Sequence, residues 1–152
     1  MQYQEIYRQG ISDLKKAGVK EAELDARLLL EEVCDTDRTA LYAHGERELT
    51  VGQEERYLEM IRRRAERIPL QQIIGRTEFM GLTFLVNKDV LCPRQDTEIL
   101  VEEVLKYLHD GTRILDIGTG SGCILLSLLY YSNYCRGVGA DISEKALRVA
   151  GD

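Results

Sequence analysis

The sequence predicts an α plus α/β chain: a helical bundle over residues 1–68, a β-hairpin linker over 69–92, and the start of an α/β domain over 93–152. Three observations support this. Apolar residues recur at helical spacing through the first part. The period changes to that of strands from Gln71. From Arg113 an apolar run leads into a glycine-rich turn and a second apolar run, which is typical of a strand, a turn and a helix.

The first part contains four predicted helices, over 3–17, over 21–33, over 38–42 and from Thr50 to about Arg67. Gly18 is placed to end the first, the Asp35-Thr36-Asp37 stretch supplies a turn and an N-cap, and Thr50 is a good N-cap. Pro69 blocks any continuation of the last helix. The apolar residues at helical spacing are candidates for the inner faces: Ile6, Ile11, Leu14, Leu24, Leu28, Leu29, Tyr57, Leu58, Ile61 and Ala65.

Four arginines cluster near the end of the bundle, at positions 62, 63, 64 and 67. We expect these arginines to form a solvated helix face. The alternative, which would give them a function, is a docking patch for an acidic or RNA-associated partner.

In the linker, strands are predicted over 72–75 and 81–86, with a turn or bulge over 78–81. A helix is predicted over 99–109, capped by Asp96 or Thr97. Its inner face would consist of Leu100, Val104, Leu105 and Leu108.

Composition excludes several classes of protein. The net charge of −6 argues against general nucleic-acid binding. No apolar span is long enough for a transmembrane helix, and the N-terminus lacks a secretory pattern, which favours a cytoplasmic protein. The four cysteines form no C-x-x-C pair and the two histidines lie far apart, so no metal site is predicted. Cys34 and Cys123 are expected to pack as small apolar groups.

The glycine-rich turn carries the strongest functional signal. Three glycines, at 118, 120 and 122, follow the strand and precede an apolar helix start. Glycines allow a sharp turn and let a ligand approach the bare backbone, and the first N–H groups of the helix face that ligand. This is the arrangement of a nucleotide-type cofactor site, although a glycine turn in an unrelated α/β domain would look similar.

Two acidic residues narrow the choice of cofactor. Asp116 would repel a pyrophosphate but suits an ammonium group. Cys123 stands where the dinucleotide-binding fingerprint needs a glycine. Both residues disfavour a dinucleotide-dependent oxidoreductase. Asp141, at the end of a second apolar run, can accept both hydroxyls of a ribose. The pattern Asp-x-Gly-x-Gly-x-Gly with this later acid looks like the S-adenosylmethionine site of Rossmann-like methyltransferases.

The chain as a whole resembles the release-factor glutamine methyltransferases of the PrmC/HemK type. The resemblance rests on the stretches 62–75, 78–84, 90–98, 116–122 and 141–147. It implies a helical N-terminal domain that docks the substrate, a hairpin linker and a Rossmann-like catalytic domain. It also implies methyl transfer from S-adenosylmethionine to the side-chain amide nitrogen of the glutamine in a Gly-Gly-Gln motif, with a peptide-chain release factor as partner.

By this resemblance, the methionine part of the cofactor would be lined by Gly118, Thr119, Gly120, Ser121 and Gly122. Asp116 would lie near its ammonium group and Asp141 would accept the ribose hydroxyls. Arg94, Thr97 and Glu98 match the approach to the family's active site. No residue is assigned as catalytic. Gln95 stands where the family usually has a second proline, which suggests a less rigid loop.

The family's Asn-Pro-Pro-Tyr substrate motif does not occur in this sequence. We therefore expect the N-terminal half of a methyltransferase, inactive alone, whose exposed sheet edge leads to poor solubility or self-association. Two alternatives remain: a non-catalytic module that binds a release factor, and a nucleic-acid adenine methyltransferase. The acidic balance weighs against the second, and neither direct nucleic-acid binding nor membrane binding is expected.

Overall fold

The computed structural model describes all residues from Met1 to Asp152. They divide into two compact units, Met1–Ile74 and Gly75–Asp152. The first unit is helical: α1 (Tyr3–Lys16), α2 (Ala22–Cys34), α3 (Arg38–Ala43), α4 (Val51–Ala65) and α5 (Leu70–Ile74). The second contains β1 (Arg76–Phe79), β2 (Leu82–Leu85), α6 (Glu98–Leu105), β3 (Arg113–Ile117), α7 (Cys123–Tyr131), β4 (Arg136–Ala140) and α8 (Glu144–Gly151).

The four predicted helices of the first unit are confirmed, and so are two of their caps. The Asp37 carboxylate accepts the Ala40 N–H at 2.8 Å. Thr50 forms a capping box with Gln53, in which each side chain accepts the other residue's backbone N–H. These bonds satisfy N–H groups that a helix cannot pair internally.

The core of the first unit lies where α1, α2 and α4 pack together. Ile6, Leu14 and Leu29 are fully buried, as expected. The buried face of α2 is rotated from the leucines that the spacing singled out, since Leu24 is exposed. The residues that the interpretation missed are Ala22, Ala26, Leu30, Val33 and Met60.

The strand predicted over 72–75 is wrong: these residues belong to α5 and its end. The Pro69 carbonyl accepts the N–H groups of Gln72 at 3.0 Å and Ile73 at 3.2 Å, so the proline starts a helix. Gly75, with φ +90°, ends it. An apolar run of this length fits either a short helix or a strand, and the proline decides.

The β-hairpin is confirmed but begins later. β1 pairs antiparallel with β2, with Phe79 opposite Leu82. The loop is therefore Met80–Gly81 alone, with φ +52° and +72°, as a type I′ turn requires. The turn or bulge predicted over 78–81 is correct only for these two residues. The hairpin is part of the second compact unit.

The helix predicted over 99–109 is shorter than expected. α6 spans Glu98–Leu105 and follows a 3₁₀ turn at Gln95–Thr97. Thr97 takes the N-cap position without a side-chain capping bond. Of the predicted inner face, Val104, Leu105 and Leu108 pack against the apolar cluster of this unit, as expected. Leu100 is instead 50% exposed, and Val101 is fully buried in its place.

β3 and β4 form a parallel two-stranded sheet, as predicted. Helix α7 packs on one face, where a Cβ at Gly137 would clash with Leu125. The other face is uncovered: Leu115, Ile117 and Val138 are 64%, 80% and 64% exposed. The prediction was an exposed sheet edge; the structure shows that one whole face of the sheet is apolar and exposed.

No helix combines the length and the apolar character that a membrane crossing needs. Cys34 and Cys123 pack, partly buried, against the apolar clusters of their units, as expected, and burial raises the pKa of both thiols.

Candidate functional site

The turn that joins β3 to α7 is anchored on the end of β4. The N–H groups of Gly118 and Thr119 both donate to the Ala140 carbonyl, at 2.7 and 3.0 Å. Gly118 and Gly120 have φ of +74° and +55°, a region that side-chain-bearing residues rarely adopt. The sequence therefore folds here into a fixed, left-handed turn at the carboxyl end of two parallel strands.

Asp141 directly follows β4 and binds this turn. Its Oδ2 accepts the Gly120 N–H at 3.0 Å, and its Oδ1 accepts the Ser143 N–H at 2.9 Å. These donors, Ser143 first and Gly120 second, hold the pKa of the Asp141 carboxyl below its usual value. The group is a fixed carboxylate with lone pairs left to accept hydroxyl protons.

Asp116 lies in β3, next to the start of the turn. It accepts the Thr119 hydroxyl at 2.8 Å, which orients one carboxylate oxygen and leaves the other available. Thr119 and Ser121 are buried, and the Ser121 hydroxyl, which lies beside the Cys123 thiol, is shielded from solvent.

The glycines of the site have two different roles. A Cβ added at Gly118 or Gly120 would meet no atom within 4 Å, so their backbone borders open space. A Cβ at Gly122 would lie 3.1 Å from Leu126, and one at Gly139 would lie 3.0 Å from the Thr119 hydroxyl. The first two expose backbone to a ligand, and the last two allow helix and turn to pack closely.

The residues Arg94, Thr97 and Glu98 have other contacts. Arg94 lies 3.7 Å from Asp96, with both side chains largely exposed. Glu98 accepts the Met80 N–H at 2.8 Å and so ties the start of α6 to the hairpin turn. No hydrogen bond joins these three residues to the glycine turn.

Sequence reasoning missed three participants: the Ala140 carbonyl, the Ser143 N–H and the close approach of Gly139. One signal was present, because Asp-x-Ser before a helix is typical of an Asx turn that continues into an N-cap. Ser143 does both, since its hydroxyl also accepts the Ala146 N–H at 3.2 Å. The other two contacts depend on how the strands align and leave no sequence pattern.

The arginine cluster at the end of α4 is largely engaged within the first unit. Arg64 donates to the buried Asp25 at 2.7 Å and to the Ile68 carbonyl at 3.2 Å. Arg67 donates to the Ala17 carbonyl at 3.0 Å. Arg62 pairs with Glu59 at 2.7 Å and is the member that fits the expected solvated face. Arg64 does not fit it, because its side chain joins α4 to α2.

Parallel strands, a glycine turn and an acid at each strand end are the arrangement known from nucleotide-type cofactor sites of α/β proteins, which makes this turn the candidate site. Comparison with known proteins is more specific. Residues 5–75 match the family described as the PrmC N-terminal domain. The helical unit is therefore similar to the N-terminal domain of the family that the sequence resembles.

Curated relatives extend the match beyond this domain. The chain is 42% identical to the release factor glutamine methyltransferase of Caulobacter vibrioides, over 90% of this chain and 48% of the relative. The chain is 43% identical to the release factor glutamine methyltransferase of Moorella thermoacetica, over 93% of this chain and 51% of the relative. It is 39% identical to the protein of the same name from Koribacter versatilis, over 99% of this chain and 54% of the relative.

The chain spans about half the length of the curated relatives it matches, and this is their N-terminal half. The resemblance to the release factor glutamine methyltransferases is thereby confirmed.

Proposed function

We propose that this chain supplies the docking and cofactor-binding parts of an S-adenosylmethionine-dependent methyltransferase. Its substrate would be the glutamine of the Gly-Gly-Gln motif in peptide-chain release factors, a reaction that belongs in the cytoplasm. The observation that carries the proposal is the fixed Asp141 carboxylate beside the open backbone of Gly118 and Gly120. The names of the relatives support the choice of substrate.

The residues of the site fit this cofactor chemically. Asp116 carries the negative charge that an ammonium group needs. Asp141 can accept ribose hydroxyls. The order β3, α7, β4 with parallel pairing is a βαβ unit, the repeating element of Rossmann-like folds. A dinucleotide fits less well, because Asp116 would face its pyrophosphate.

The proposed mechanism relies on position more than on acid–base chemistry. S-adenosylmethionine, when bound, supplies an electrophilic methyl group. An amide nitrogen is a poor nucleophile, so the two reactants must be aligned and water excluded. Within this chain the acids at the strand ends and the glycine backbone would orient the cofactor, and we assign no catalytic residue. The helical unit would dock the release factor.

Arg94, Thr97 and Glu98 remain proposals as residues on the approach to the substrate. Glu98 acts there indirectly, because its bond to Met80 holds the hairpin turn against α6.

Calorimetric titration of the chain with S-adenosylmethionine tests the cofactor assignment. Asp141→Ala removes a charged acceptor, and hydrogen bonds to charged groups contribute about 1.5–3 kcal/mol, so we expect affinity to fall at least about tenfold. Glu144→Gln, which removes a neighbouring charge from α8, is the matched control and should bind normally. Equal binding by both variants, or preferential binding of NAD⁺, would contradict the proposal.

One observation favours a second candidate, a non-catalytic module that binds a release factor. The PrmC N-terminal match falls on a compact unit of its own. Capture of a purified release factor by the chain carrying Asp141→Ala, with no binding of S-adenosylmethionine to the unaltered chain, would favour this candidate.

A further inference from the structure

A cavity of about 260 Å³ opens in the helical unit among α1, α2 and α3. Helix α1 contributes Tyr7, Arg8 and Ile11; Tyr7 and Arg8 lie four and three residues before Ile11, which places both beside it on the helix surface. Helix α2 contributes Arg27 and Leu30, and α3 contributes Leu41 and Tyr42. The cavity is separate from the glycine turn, which belongs to the other unit.

The inside of the cavity is apolar and its rim is aromatic. Leu30 and Leu41 are buried and Ile11 is partly buried. Tyr7 is fixed by its hydroxyl, which donates to the Glu23 carbonyl at 3.1 Å. Tyr42 stands 62% exposed at the edge. An apolar concave surface bordered by tyrosines is typical of a site that receives an anchoring side chain.

The charge at the cavity is positive. Two arginines and no acidic residue line it. Arg27 is compensated by Glu31, with Nη1 and Oε1 3.3 Å apart. Arg8 is exposed and forms no ion pair or hydrogen bond. A third guanidinium, that of Arg38, lies 5.6 Å from the centre of the Tyr42 ring. In a chain of net charge −6 this local excess of arginine favours an anionic ligand.

We propose that this cavity binds a segment of a partner protein, in which a bulky apolar side chain enters the cavity and an adjacent carboxylate pairs with Arg8. The volume accommodates one large side chain such as phenylalanine. Tyrosine and arginine, which form the rim, are enriched at protein–protein interfaces, and this composition favours a peptide anchor over an acyl chain. The exposed position of Arg8 at the rim suits a group that stays near solvent. The proposal rests on the docking role given to the helical unit above and names the groups that a partner would use; it does not depend on methyl transfer.

Three blocked tetrapeptides test the site: acetyl-Gly-Phe-Glu-Gly-amide, its Phe-Gln counterpart and its Ala-Glu counterpart. We would titrate each into the ¹⁵N-labelled full chain and follow amide chemical shifts. The Phe-Glu peptide should give saturable shifts at residues of α1 and α3 that line the cavity. The Phe-Gln peptide should bind about two- to fivefold more weakly, as expected for an exposed ion pair. The Ala-Glu peptide should not saturate.

Two variants assign these effects to the cavity. Arg8→Gln should remove the preference for Glu over Gln while retaining binding of the phenylalanine. Ile11→Phe should fill the cavity and abolish binding of every peptide. Arg148→Gln, at an exposed unpaired arginine of α8, is the matched control and should change nothing.

Shifts that spread over other surfaces, equal affinity for the Glu and Gln peptides, or a preference that survives Arg8→Gln would overturn the proposal. Saturation by octanoate alone, with no response to the peptides, would also overturn it in favour of a small-carboxylate site. None of these outcomes depends on S-adenosylmethionine, so a failure here is distinct from a failure of the proposed function.

Discussion

At the scale of single residues, the packing of glycine determines how closely the helices approach. Gly10 of α1 faces the fully buried Tyr57 of α4, and a Cβ at this position would clash with the tyrosine ring and hydroxyl. The Tyr57 hydroxyl also donates to the Ala26 carbonyl at 3.1 Å, which joins three helices at one side chain.

Gly10→Ala should therefore destabilise the helical unit although alanine favours helix. Overpacking of a core usually costs about 1–3 kcal/mol in the free energy of unfolding. Gly52→Ala is the matched control, because a Cβ at Gly52 meets nothing within 4 Å, and it should stabilise α4 by up to about 1 kcal/mol. Urea unfolding measures both. Equal stability of the two variants would show that Tyr57 moves aside freely.

The Asp141 carboxyl provides a second prediction at this scale. Its folded pKa is depressed below the ordinary 3.8, so its bonds to Gly120 and Ser143 stabilise the fold above that pH. The contribution is lost as pH falls through the folded pKa. NMR titration of the carboxyl carbon should give a pKa below 3.8, and Ser143→Pro, which removes the principal N–H donor, should raise it. A value at or above 3.8 in the unaltered chain would contradict the geometry.

At the scale of elements, the sequence predicted those features of helices and strands that depend on neighbouring residues. The caps at Asp37 and Thr50, the stop at Gly18 and the strand that starts at Arg113 all follow from residues within one turn. The interpretation failed where packing decides. The run 72–75 contains two β-branched isoleucines, yet it ends a helix. On α6, packing against the rest of the unit buries Val101 in place of the expected Leu100.

The capping box of α4 can be tested directly. Thr50→Ala removes the acceptor of the Gln53 N–H, which lies 3.2 Å from the Thr50 hydroxyl, and should cost about 1 kcal/mol of stability. Thr50→Ser keeps the hydroxyl and should unfold at nearly the same denaturant concentration as the unaltered chain. A loss of equal size in both variants would mean that the methyl group, rather than the cap, is responsible.

At the scale of the whole molecule, the uncovered face of the β3–β4 sheet determines behaviour in solution. Three large apolar side chains lie exposed on it, and exposed strand edges pair readily with other chains. The sequence predicted an exposed sheet edge from the strand count, and the structure shows that one face is exposed as well. The sequence also singled out the glycines and acids that the structure brings together at the turn, because glycines and acids at strand ends are local features. The contact between Asp141 and Gly120 spans two strands and required the structure.

We expect concentration-dependent self-association through this face. Sedimentation of the unaltered chain should show dimers or larger species, and Leu115→Lys combined with Val138→Lys should shift the population toward monomer. Leu91→Lys, at a side chain that is 83% exposed outside the sheet, is the control and should leave association unchanged. A monomer at every concentration in the unaltered chain would contradict this expectation.

The two kinds of glycine at the candidate site have a consequence for mutational scanning. A library that is selected only for folded protein would reject bulky side chains at Gly139, where a Cβ would lie 3.0 Å from the Thr119 hydroxyl. The same selection would admit Gly118→Asn, because asparagine tolerates a positive φ and the space there is open. A second round that selects for ligand capture would then remove it. The positions lost only in the second round would outline the ligand's footprint on the backbone.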